Sequence, residues 1–591
     1  MRKTWALVAG LAVASGIAAA PAAAIAARRT VTLTVLATTD THGNVFNWDY
    51  FRNQPYSDKS GTAYGLARAG SIINQIRAER GAESVIVVDN GDTLQGTPLA
   101  YYYAKMEPIT KTGQTHPMAA AFNAIGYDAT NIGNHEFNYG PDLLTTYDRQ
   151  LKAPILSANV LDTKTGKPVF QPYTIVTRHV KGAKPIKVGI LGLTTPGSMI
   201  WDKANLEGKV IIQDMNAAAQ RWVPKVRAAG ADVVVVMSHA GIGQSSYDTT
   251  TLGAENPSDK IAEQVPGIDA IVMGHTHQDV PQKFITNQQT GKQVLLTQPR
   301  YWASSVSDMT FELIKVKGQW TVASAKSVAH YSKNATDDPA VTAAVKAMHD
   351  KAVAYVNQVV ATSTGEMPAA TSRWEDTAII DFIQMVQTQT VEAGLKGTQY
   401  ENLPVLSIAA PFSRTATFPK GEVTVRDIAG LYIYDNTLQA VVMTADQVKQ
   451  YLEYSAKYFG TVPAGGTFDP DTHTSMLYNG QQVWDYNYDI ISGLNYTIDL
   501  SQPVGSRITS LTHAGGTPVA GEEKFVVAVN NYRRSGGGNF PHIATAPVVY
   551  DQNQEIRQLL IDWASAHGTI DPADFSVKNW ELTVAGQPVQ G

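Results

Sequence analysis

The chain has 591 residues, more than one hydrophobic core usually organises, so at least two domains are expected. Hydrophobic residues make up 44% and charged residues 17%, with 47 glycines and 29 prolines scattered along the chain, which excludes collagenous and disordered classes. A formal net charge of -5 excludes a broad basic field for a nucleic-acid polymer or an anionic membrane, and leaves small charged ligands bound at local sites.

In chain order, Arg2 and Lys3 precede an apolar stretch from Trp5 to Ala20, followed by Ala22, Ala24 and Ala26 and then Arg28 and Arg29. That pattern predicts a secretory signal over residues 1–26 with an Ala-x-Ala cleavage site. Its apolar part is shorter than the about 20 residues of a membrane span, so the protein is expected in a periplasm or outside the cell. The sequence has no cysteine, so stability must come from core burial and bound metal rather than disulfides.

Residues 30–335 alternate β-branched runs with helical patterns, which predicts an α/β layered domain. Residues 31–37, 85–89, 187–193, 232–237 and 268–273 read as strands buried on both faces, because their apolar residues are continuous. Residues 66–80 and 216–229 carry apolar positions at helical spacing. An Ala-rich amphipathic stretch, residues 336–362, reads as a linker helix. From 363 to 591 aromatic and polar residues alternate more, as over 486–499, which predicts a separate α+β domain.

Metal-ligating residue types cluster in the loops of the first domain. Asp40 and His42 form Asp-x-His after the first run, Asp92 lies in Gly-Asp after the second, and Asn134 and His135 lie in Gly-Asn-His-Glu. His239 follows the fourth run, and His275 and His277 form Gly-His-Thr-His after the fifth. In open α/β sheets the carboxyl ends of parallel strands share one edge, so these loops converge there. Residues two apart in extended backbone point the same way, which would aim Asp40 with His42, and His275 with His277, at one small volume. Carboxylate, amide and imidazole ligands suit manganese, cobalt, zinc or iron. Two such ions, about 4 Å apart across a bridging Asp92, would polarise a phosphoryl group. Singly, an Asp-x-His is more often a capped loop and His239 could be a satisfied strand-end histidine; five elements at the same structural position outweigh that reading.

These motifs, in this order, resemble the calcineurin-like metallophosphoesterase family. The resemblance implies a four-layer β-sandwich flanked by helices, with one metal on Asp40, His42, Asp92 and His277 and another on Asp92, Asn134, His239 and His275. It makes His135 and Asn134 catalytic, with His135 protonating the leaving oxygen or stabilising charge in the transition state. Tyr434-Asp435-Asn436 and the run Asn530 to Pro541 are similar to the C-terminal domain of the bacterial 5'-nucleotidase superfamily. There two aromatic rings sandwich a nucleobase, which by position implies Tyr434 and Tyr532 with Asn436 nearby. Read alone, both tyrosines are more often core or hairpin aromatics.

Three stretches, Trp201 to Leu206, Gly133 to Gly140 and Asn531-Tyr532-Arg533, are similar to the branch of 2',3'-cyclic-nucleotide 2'-phosphodiesterase/3'-nucleotidases. Ser407 to Arg414 departs from the Gly-Gly-Ile-Arg of 5'-nucleotidases, and Asn138 stands where many of those have an aspartate orienting the histidine. An amide cannot stabilise imidazolium as a carboxylate would. The expected activity is sequential hydrolysis of 2',3'-cyclic nucleotides to 3'-nucleotides and then to nucleoside and phosphate, by a monomer acting on small nucleotides. The rivals are a 5'-nucleotidase or nucleotide-sugar hydrolase, and a secreted nucleotide-binding protein without turnover.

Overall fold

The computed structural model describes residues 30–589, and the export signal read at residues 1–26 lies outside them. Two six-stranded sheets organise residues 31–331. The first runs in the order Gln319–Tyr331, Ser305–Val316, Val31–Thr38, Val85–Asp89, Ala129–Asn131, Ile155–Leu156. The second runs Val280–Thr286, Gln293–Gln298, Ala270–Met273, Val233–His239, Ile186–Thr194, Tyr173–Arg178. In each, four neighbouring strands are parallel and the remaining strands pair antiparallel at the edges.

The continuous apolar runs follow from burial on two faces with a side-chain period of two. Leu33, Val35, Ile86 and Val88 pack between the sheets against Val188, Ile190, Val233 and Val235. The alternate residues Leu36, Val85 and Val87 face the helices Leu66–Arg80 and Pro117–Ile125, while Val234 and Val236 face Met215–Ala228 and Ser258–Gln264. The result is four layers, helix on sheet on sheet on helix, as expected. Each fully buried valine or isoleucine contributes roughly 1.5–3 kcal/mol. The antiparallel hairpin Ser305–Val316 and Gln319–Tyr331 is absent from the predicted strands, because its outer strand is mostly half-buried or exposed and carries no continuous apolar run.

The helix Pro339–Val356 starts at Asp338, whose side chain accepts from the amides of Ala340 and Val341. Val341, Val345 and Ala352 lie in the first core, and Tyr355 and Val356 in that of the C-terminal half. The helix is shorter than the stretch 336–362: past Asn357 the β-branched Val359–Ser363 pairs as a strand with Gly421–Thr424. Beyond it a five-stranded sheet runs Ile490–Ser492, Val405–Ala409, Lys524–Asn530, Thr437–Thr444, Val548–Glu555, with Ala378–Leu395 packed on it. A four-stranded sheet, Ile508–Thr512, Asn495–Asp499, Trp580–Val584 and Gln587–Pro588, shares that core, an α+β arrangement. No helix among the described residues is long and apolar enough to cross a membrane.

Candidate active site

The parallel strands end level with one another: Thr38 pairs Asp89, Asp89 pairs Thr130, and Ser238 pairs Met273. Their following loops meet at that edge, and the backbone joins them. The amides of Asp40, His42 and Gly43 donate to the carbonyls of Gly91, Asp92 and Thr93 at 2.9, 2.8 and 2.9 Å. Glu136 ties in the third loop, accepting from the amides of Asp92 (2.8 Å), Gly133 (2.6 Å) and Thr93.

All seven expected ligands come together, in two groups. Asp40, His42 and His277 form one and Asp92, His239 and His275 the other, the ligand atoms within each lying within 4.8 Å. Asn134 joins the second group, its Oδ1 2.9 Å from His275 Nδ1. Asp92 stands between the groups, with Oδ2 3.0 Å from His239 Nε2 and 4.0 Å from His42 Nε2.

The expected reason for convergence is corrected. Asp40, His42, Asp92, His275 and His277 are not extended; their φ angles of 50°, 46°, 58°, 68° and 55° are left-handed. Non-glycine residues there cost roughly 1 kcal/mol or more each. Tight turns at the strand ends therefore aim the ligands, and His275 and His277 reach separate groups. Gly133 serves this closeness: a Cβ there would lie 2.3 Å from Asp92 Oδ1 and 2.7 Å from His239 Cε1.

The donor set fits divalent cations. His42 Nδ1 lies 2.9 Å from the Gln95 carbonyl and His239 Nδ1 2.7 Å from that of Asn90, which orients both Nε2 lone pairs inward. His42 Nε2 faces His277 Nε2 at 3.0 Å. Buried His239 Nε2 makes no hydrogen bond of acceptable geometry although Asp92 is beside it. Burial, and then His277, hold His42 down to about 3, so it is the neutral imidazole a metal needs. Burial acts likewise on His239, but Asp92 and Asp40 override it and raise that group to about 10, so a cation bound at its Nε2 would take the place of a proton.

Residues 33–279 match the calcineurin-like phosphoesterase family, and residues 359–545 match the C-terminal domain of 5'-nucleotidases. The chain is 36% identical to the 2',3'-cyclic-nucleotide 2'-phosphodiesterase/3'-nucleotidase of Yersinia enterocolitica, over 94% of this chain and 88% of that one. The chain belongs to this family. It is also 34% identical over 95% of its length to the trifunctional nucleotide phosphoesterase protein YfkN of Bacillus subtilis, of which it spans 39%. The solved structure of a putative 5'-nucleotidase from Staphylococcus aureus, in complex with alpha-ketoglutarate, has the same fold. Its TM-score is 0.74 at 24% identity, covering 94% of this chain and 100% of that one.

In this family member the paired groups open onto a cavity of about 1110 Å³ whose far wall comes from the C-terminal half. Asp92, Asn134, His135, His275 and His277 line one side, and Tyr434, Asn436 and Tyr532 the other. Tyr434 is half-buried, edge-on to Phe412 (5.5 Å) and Tyr486 (6.1 Å). Tyr532 lies flat on Gly537, where a Cβ would come within 2.6 Å of three ring atoms. Arg533, next to it, is a framework residue: it is buried and bonds Asp489 through Nε (2.7 Å) and Nη2 (3.1 Å).

Three residues with a part in the site carry no ligand motif. Glu255 lies 2.8 Å from His275 Nε2 and orients that ring from behind. Its burial is overcome by His275 and by the Ser246 amide, which keep the carboxyl below its ordinary range. Trp201 stacks on His275 with ring centroids 5.2 Å apart. Glu136 was visible only as the last letter of Gly-Asn-His-Glu. Partners of this kind are defined by distance in space, and Glu255 is 20 residues from its histidine.

Proposed function

We propose that the chain hydrolyses 2',3'-cyclic nucleotides to 3'-nucleotides, and these to nucleoside and phosphate, at the site just described. The observation that carries this reading is the single cavity shared by both ligand groups and by Tyr434, Asn436 and Tyr532. The activity named for the Yersinia enterocolitica relative supports the same assignment. Both walls come from one chain, which suits action as a monomer.

Asp40, His42, Asp92 and His277 would hold one divalent cation and Asp92, Asn134, His239 and His275 a second, which when bound would polarise the phosphoryl group and acidify water. Tyr434 and Tyr532 would stack on the base, with Asn436 beside them, and so set the phosphate against the ligand groups. His135, half-buried on the cavity wall, would deliver a proton to the leaving oxygen in each step. Export to a periplasm or beyond the cell is supported by Arg2, Lys3, the apolar stretch and Ala22, Ala24 and Ala26.

The test is phosphate release from 2',3'-cAMP, 3'-AMP and 5'-AMP after chelation and reconstitution with manganese, cobalt, zinc or iron in turn. The first two substrates should be preferred in at least one metal form. Preference for 5'-AMP throughout would transfer the assignment to 5'-nucleotidase.

A further inference from the structure

The imidazole of His135 meets an amide at Nδ1 rather than a carboxylate. Its Nδ1 lies 2.6 Å from Asn138 Oδ1, and Asn138 Nδ2 in turn lies 2.8 Å from Asp202 Oδ1. All three side chains line the cavity. Asp202 is 4% exposed, and its second oxygen is buried without a hydrogen-bond partner. It sits in the segment after the strand Ile186–Thr194, 64 residues from Asn138.

An amide presents a donor at one end and an acceptor at the other, and either end fits beside an imidazole nitrogen. An ionised carboxylate only accepts, so the Asn138 NH2 must face Asp202 and its carbonyl must face His135. A carbonyl accepts as well, so His135 must carry a proton on Nδ1. We infer that Asp202, acting through Asn138, is the positioning residue that fixes the tautomer and orientation of His135. A carboxylate one residue removed thereby orients His135. Burial lifts Asp202 to about 7; the Asn138 bond, His135 and nearby Asn205 pull it down, and nearby Asp92 pushes it up. Above that pH Asp202 is an obligate acceptor.

The inference rests on the proposed proton delivery by His135, and the test separates the two. The parent, Asp202→Asn and the double variant Asn138→Asp/Asp202→Asn are compared at about pH 8 on 3'-AMP and 4-nitrophenyl phosphate. The alkoxide leaving 3'-AMP needs a proton, whereas 4-nitrophenolate is a stable anion. Asp202→Asn should lower kcat on 3'-AMP by about 10–100-fold, as loss of an orienting partner does, with KM and the 4-nitrophenyl phosphate rate little changed. The double variant places the carboxylate directly on His135 and should recover most of the lost kcat. Equal loss on both substrates, no loss on 3'-AMP, or a double variant as slow as Asp202→Asn would overturn the inference. His135→Gln that keeps the parent's leaving-group dependence would instead remove the acid role itself. A readout independent of any change at position 202 is nuclear magnetic resonance of isotope-labelled histidine in the parent, with His135 assigned through His135→Gln. Its proton should reside on Nδ1, and residence on Nε2 would overturn the inference.

Discussion

Asp92 is 2% exposed, accepts the His135 amide at 2.7 Å through Oδ1 and meets His239 and His42 through Oδ2. Its burial would favour the neutral acid, yet His239 and His135 hold its carboxyl well below the ordinary range, so it is an anion poised among imidazoles. Asp92→Ala should reduce hydrolysis of bis(4-nitrophenyl) phosphate by more than about 100-fold, since it removes the carboxylate proposed to serve both cations. A variant that keeps the parent rate would show that catalysis occurs elsewhere. The seven candidate ligands were legible because they stand in short motifs whose order along the chain can be read. Glu255 and Asp202 were not, since an acidic residue in a loop carries no signal until its partner is known.

Among elements, the helix Ala378–Leu395 carries an unusual first turn. Asp381 is buried there and, with burial as the first cause and Asp376 as the next, its carboxyl is raised to about 8. In the unfolded chain an aspartate titrates near 3.9, so the fold favours the protonated form. The stabilisation is complete below about pH 4 and is lost as pH climbs towards 8. Asp381→Asn mimics the protonated state, and the excess of its melting temperature over the parent's should be larger at about pH 8 than at about pH 4. A constant offset at both would mean the pair does not titrate as described. Elements buried on both faces, such as Val233–His239, were legible as apolar runs. The hairpin Ser305–Val316 and Gln319–Tyr331 was not, because its outer strand is mostly half-buried or exposed and carries no continuous apolar run.

At the scale of the molecule, the two halves meet around the cavity through polar contacts. Tyr139 Oη donates to Asp435 at 2.6 Å, Lys105 pairs Glu555 at 2.7 Å, and Arg557 pairs Asp435 while lying 4.6 Å over the Tyr101 ring. With no cysteine in the chain, the strained strand-end turns are held only by packing, hydrogen bonds and whatever binds the ligand groups. A divalent cation that binds the folded state alone at 100 times its dissociation constant would add about 2.7 kcal/mol. Chelation should therefore lower the melting temperature, and reconstitution should restore it; an unchanged value would mean that these groups hold no tightly bound metal.

The sequence by itself determined the candidate ligand types, their order along the chain and the doubly buried strands, since these rest on local composition and short spacing, whereas Tyr434 and Tyr532 stood out only through the family resemblance. Only the tertiary structure decided that Asp40, His42, Asp92, His275 and His277 sit in left-handed turns rather than extended backbone, that His275 and His277 part to different groups, and that Asp202 reaches His135 through Asn138. Those outcomes depend on chain segments up to hundreds of residues apart being packed at one sheet edge, and backbone strain there is tolerated because the surrounding core fixes both ends of every loop.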